Sequence, residues 1–106
     1  MKNILGWTTR DQAQTLVEAG LSRKTADMSL WISEGKEYIY AQEPDDPNMY
    51  ACWSLGRLIE LAESFDGAKV SYDDHCWQIR QGEIHSIGES LPDVFAEFLK
   101  KRKEEK

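Results

Sequence analysis

Residues 72–85 read YDDHCWQIRQGEIH, and two structures compete for them. Asp73, Asp74, His75, Cys76 and His85 are all groups that bind metals or move protons. The same residues also suit a polar turn feeding a β-hairpin. Placing the hairpin turn at Gln81 and Gly82 sets Arg80 opposite Glu83, Ile79 opposite Ile84, Gln78 opposite His85 and Trp77 opposite Ser86. Side chains alternate along a strand. Trp77, Ile79 and Ile84 then share an apolar face, and Cys76, Gln78, Arg80, Glu83 and His85 share a polar one. This register separates the would-be ligands. His75 points away from Cys76 and His85, and zinc needs three or four ligands converging at about 2.0–2.3 Å. Neither a metal nor another cofactor is expected. Asp73 and Asp74, adjacent before a strand, read as a solvated turn rather than a general acid/base pair.

Working outward, the segments on either side are helices. Ser90 is placed to cap a helix that opens SLPD, with Pro92 in its first turn, where a missing N–H costs little. Leu91, Val94, Phe95, Phe98 and Leu99 recur at helical spacing and form its apolar face. Upstream, AKVSYDD carries a short strand with Val70 and Tyr72 on one face. Before it, Ser54 caps a second helix, with Trp53 and Leu58 spaced as a hydrophobic staple. Leu55, Leu58, Ile59, Ala62 and Phe65 form its stripe, and Gly67 lies past its end.

The N-terminal half repeats the plan. Thr9 and Gln12 have the spacing of a capping box, Ala13, Leu16 and Val17 follow at helical spacing, and Gly20 suits the helix stop. MSLWIS (28–33) and EYIYAQ (37–42) read as two strands around the turn EGK, and EPDDPN (43–48) reads as a loop. The order is α–ββ–α–ββ–α, and the expected fold is α+β. It is a single domain over residues 1–106, with a mostly antiparallel four-stranded sheet and helices packed on one face.

Composition narrows the function. The chain has 106 residues, 41% hydrophobic and 30% charged, enough for one core. No apolar run approaches the roughly 20 residues that span a bilayer, and MKNILGWTTRDQ lacks the features of a signal peptide. A cytoplasmic, non-membrane protein is expected. Cys52 and Cys76 are expected as reduced, packed thiols, not a disulfide. The net charge of −6 divides into +3 on residues 100–106 (KKRKEEK) and −9 on residues 1–99. The acidic body repels nucleic acid, and the basic residues complement a helix C-terminus. Phosphate-loop, dinucleotide, zinc-protease and C-x-x-C motifs are absent from the sequence.

Trp7, Trp31, Trp53 and Trp77 are many tryptophans for this length. Trp53 and Trp77 read as buried. Trp31 lies between Leu30 and Ile32, so its strand is apolar on both faces, and pairing of two copies through an open sheet face would cover it. The candidate interaction surface is Trp31 with Cys76, Gln78, Arg80, Glu83 and His85. The expected function is a non-catalytic module that binds a protein partner or a second copy. The alternatives are nucleic-acid association, through the basic tail or by acidic mimicry of DNA, and a small enzyme built on Asp73, Asp74, His75 or His85.

TTRDQAQTLVEAGLSRKTADM (8–28) resembles the N-terminal part of a set of small uncharacterised proteins of Bacteroides-type gut bacteria, often encoded in prophage or other mobile-element regions. Gln12, Leu16, Gly20 and the run Thr25, Ala26, Asp27, Met28 carry the likeness. A second motif of those proteins, P-A-W-S-L-x-x-L-L-x-L, is similar to MYACWSLGRLIEL (49–61). Trp53, Ser54, Leu55, Leu58 and Leu61 fit, and Ala51 and Cys52 replace the proline and alanine. SLPDVFAEFL (90–99) is also similar, and the match is thinnest over residues 34–48. The resemblance implies no catalytic residue.

Overall fold

The computed structural model describes residues 6–104. The readings made for residues 1–5 and for the final Glu105 and Lys106 lie outside that range. The elements are α1 (Arg10–Glu18), β1 (Met28–Ser33), β2 (Lys36–Tyr40), β3 (Tyr50–Cys52), α2 (Leu55–Glu63), β4 (Lys69–Asp73), β5 (Cys76–Gln81), β6 (Ile84–Gly88) and α3 (Leu91–Glu104). The α+β class holds, but the single four-stranded sheet does not. The strands form two antiparallel three-stranded sheets, ordered β2-β1-β3 and β4-β5-β6. Two short strands account for the difference. β3 is three residues long, too short to show an alternating pattern, and pairs with β1 through Met28↔Cys52 and Ser29↔Ala51. β4 pairs along its whole length with β5, from Lys69↔Arg80 to Asp73↔Cys76.

The opening stretch is thus one edge and the centre of a meander. Asp74 and His75 are the two-residue turn between β4 and β5, both with positive φ (53° and 63°), the pattern of a type I′ hairpin turn. The second turn is Gly82 and Glu83, one residue later than expected, and the pairs become Gln81↔Ile84, Arg80↔His85, Ile79↔Ser86, Gln78↔Ile87 and Trp77↔Gly88. Gly82 has φ +59°. Glycine at the first central position is the type II′ arrangement, and it moves the turn by one residue. Each partner shifts by two positions along the strand, so every side chain keeps its face. Trp77, Ile79 and Ile84 still share the apolar side. The expected pairing of Arg80 with Glu83 does not form, because Arg80 lies across from His85 and Glu83 is in the turn.

The helix ends follow their local chemistry. The Thr9 and Gln12 capping box is complete. At the other end of α1, Gly20 N–H donates to Val17 O and Leu21 N–H to Leu16 O, both at 3.0 Å, a Schellman closure around a glycine at φ +112°. Ser54 caps α2, its hydroxyl accepting from Arg57 N–H. α3 packs on β5, β6, α1 and α2 and buries Leu91, Val94, Phe95, Phe98 and Leu99. Phe65 meets Phe95 and Phe98 edge-on, at 6.4 and 5.7 Å between centroids. Two cations of α3 are tied back to the body. Lys101 Nζ donates to His85 O (2.6 Å), and Arg102 Nε donates to Gln81 Oε1 (3.0 Å) while its guanidinium lies 4.3 Å from the Phe65 ring centroid.

The first sheet is attached by hydrogen bonds at its base. Asp27 Oδ1 accepts from Ser54 N–H (2.9 Å), and Asp27 Oδ2 from the Ser54 hydroxyl (2.6 Å). Thr25 Oγ1 accepts from the Trp53 indole N–H (3.0 Å), and Thr25 O from Arg57 Nε (2.8 Å). The segment before β1 and the segment capping α2 therefore clasp each other. Trp53 is fully buried as expected, whereas Trp77 is only half-buried. Both cysteines are free thiols. Cys52 is buried and donates to Thr8 O (3.2 Å), and burial pushes its thiol pKa up. Cys76 is half-exposed. No helix among the described residues is long and apolar enough to cross a membrane.

Candidate binding groove

An open groove of about 920 Å³ runs between the start of α1, the β4-β5 turn and the start of α3. Three segments shape it. Residues 6–8 run beside the start of α2: Trp7 bridges to Ser54, Leu55 N–H donates to Gly6 O (3.0 Å) and Thr8 N–H to Trp53 O (2.9 Å). This fixes Trp7 at the groove edge, 37% exposed. The I′ turn sets Tyr72 directly opposite Trp77, and their ring centroids are 4.8 Å apart. Leu91, Pro92 and Val94 supply the apolar floor on the side of α3.

Gln12 joins the two helix starts. It closes the α1 capping box, and its Nε2 donates to the Ser90 hydroxyl at 3.1 Å. Ser90 is therefore engaged across the groove floor. Among the described residues the groove's charged groups are the carboxylates Glu89, Asp93 and Glu97, and its wall also holds His75. Glu97 Oε1 accepts from the buried Ser86 hydroxyl at 2.8 Å, and its other oxygen is 3.9 Å from Lys101 Nζ.

The residues singled out from sequence fall elsewhere and do not form one surface. Trp31 is on the first sheet, opposite Tyr38. Cys76, Gln78, Arg80 and His85 share the outer face of the second sheet, where His85 Nε2 and Gln78 Oε1 are 2.9 Å apart, and Glu83 is in the turn beyond them. Asp73, Asp74 and His75 are exposed, and His75 alone of these reaches the groove. Among the described residues no three His, Cys, Asp or Glu side chains come together to hold a metal ion. The groove's aromatic pair was within reach of the sequence. Reading Asp74 and His75 as a two-residue turn puts Tyr72 across from Trp77. Trp7 carried no such signal, since its place depends on pairing with Ser54, far along the chain. Comparison with protein-family models, with curated proteins and with solved structures finds no match to this chain.

Proposed function

We propose that the chain is a small non-catalytic protein-binding module that takes a segment of its partner into this groove. One observation carries the reading: Trp7, Tyr72 and Ile87, exposed by 37, 54 and 53%, line the same groove as Trp77. Exposed aromatic and aliphatic side chains gathered in one concavity are the surface that partner residues bury best. We also propose kinship with the gut-bacterial proteins described above; in its support, two of the three stretches behind the likeness supply the two halves of the clasp, Thr25 and Asp27 against Trp53 and Ser54.

A photocrosslinking residue at position 72, with a control at the exposed Glu60 of α2, tests the groove in lysate of the host. A partner that crosslinks at 72 and not at 60, and is lost with Ile87→Glu, supports it. Equal crosslinking at both positions, or none at 72, counts against it.

Self-association is a second reading, supported by the face of the first sheet that carries Trp31, Tyr38 and Tyr40, the two tyrosines 44 and 42% exposed. A molar mass by light scattering that doubles with concentration, and reverts with Trp31→Ser, supports it. A constant monomer mass removes it. Direct nucleic-acid binding through the basic tail has less support, since Lys101 and Arg102 are already bonded within the fold.

A further inference from the structure

The groove reading leaves the partner's chemistry open, and resting on that reading we infer that the groove selects a cationic segment, a lysine or arginine flanked by apolar residues. The first support is charge. Glu89, Asp93 and Glu97 line the groove, Glu89 being already engaged, and among the described residues neither Lys nor Arg lines it. Asp93 stands exposed on the first turn of α3 and makes no hydrogen bond or ion pair among the described residues. Glu97 is partly offset by Lys101, which leaves Asp93 as the group with most to gain from a cation.

Helix starts oppose this, because their free N–H groups favour anions. At α1 and α2 they are largely spent, and in the first turn of α3 Pro92 has none to offer. The start of α1 is closed by Thr9 and Gln12, and that of α2 by Ser54, itself held by Asp27. The second support is the aromatic wall. Trp7, Tyr72 and Trp77 line the groove, and aromatic rings attract a cation and pack on the apolar stem of a Lys or Arg side chain. A carboxylate and indole rings in one groove suit such a side chain better than an acidic or purely aliphatic one. The nearest cations of α3, Lys101 and Arg102, are engaged at β5, β6 and Phe65, and the cation proposed is that of another molecule.

The test uses the full chain and three acetylated, amidated pentapeptides: Ala-Leu-Arg-Leu-Ala and its Glu and Gln counterparts. Binding is followed by NMR at the Trp7 and Trp77 indole N–H groups and at the Asp93 amide. The arginine peptide is expected to shift these signals and to weaken as salt is raised. Asp93→Asn is expected to weaken it about tenfold, the loss of a charge-assisted contact, with Glu60→Gln leaving it unchanged. If Glu60→Gln weakens binding as much as Asp93→Asn, general attraction to the acidic body replaces the proposed site. Equal shifts from all three peptides overturn the charge preference and keep the groove as a binding site. If no peptide binds, the preference also falls, and the position-72 crosslink then decides whether the groove reading falls with it.

Discussion

Both sheets lead into a helix, yet they are held by different forces. In the second sheet, Ile79 is fully buried, and Val70, Trp77 and Ile84 pack beside it against the core that α3 dominates. The first sheet contributes Ala51 to that core, and apart from the buried Ser29 and Leu30 its β1-β2 hairpin is half-buried or exposed. Its attachment is the clasp of Asp27 and Thr25 on Ser54, Trp53 and Arg57. Apolar burial scales with area and is shared among many neighbours. A hydrogen-bonded clasp rests on a few groups, and each matters singly. Single polar changes are therefore expected to matter more in the first half of the molecule, at Asp27 above all, than in the second.

The sharpest way to break the comparison is Phe95→Ala. Phe95 is fully buried between Phe65 and Phe98, and a loss of about 3–5 kcal/mol is expected in urea unfolding, with both sheets lost together. If the second sheet keeps its amide protection in that variant, α3 is not its anchor. Asp27→Ala comes next. It strips two hydrogen bonds from Ser54 and is expected to cost about 2 kcal/mol. Hydrogen exchange should quicken in β1 and β3 while β5 stays protected. Uniform quickening would show that the two halves unfold as one.

The local signals in the sequence translate directly into structure, and they are the ones that need no partner. Thr9 with Gln12, Ser54 with its stripe and the Leu91-to-Leu99 face act within one or two helical turns, so spacing alone reveals them. MSLWIS coincides with β1 for the same reason. The division into two sheets is not local. It depends on Cys52 finding Met28 and on Asp74 and His75 accepting positive φ without glycine. The turn at Gly82 shows the limit at finest grain: Gln81–Gly82 and Gly82–Glu83 are both acceptable pairs, and the glycine's place within the turn separates them. Of the groove, Trp77 and His75 stood out as residue types, but the candidate surface of Trp31, Cys76, Gln78, Arg80, Glu83 and His85 included neither, because three distant segments meet at the groove.

Two smaller effects sharpen the contrast. Ser29 is fully buried in β1 with its hydroxyl unpartnered. Ser29→Ala is expected to raise the urea midpoint, a gain of about 1 kcal/mol. An unchanged or lower midpoint would show that the hydroxyl is satisfied after all. The smallest effect is at Cys52. Burial raises its folded pKa above the unfolded value, so the stability tied to the neutral thiol is complete below the ordinary thiol range, about 8.5, and is lost as pH rises through the raised folded value. The urea midpoint of the native chain should therefore fall more steeply above that pH than that of Cys52→Ala. Parallel curves would contradict this.

The packing of α1 against α3 has a consequence for the order of synthesis. α1 leaves the ribosome well before the helix that covers Leu16 and Ala13 exists, and its capping box cannot hold so short a helix in water alone. The first sheet can pair early, since β1, β2 and β3 follow one another closely along the chain. The emerging protein can therefore carry a paired sheet beside the uncovered apolar residues of α1 until α3 has been made, and that interval is when it is most open to capture by a chaperone or to aggregation.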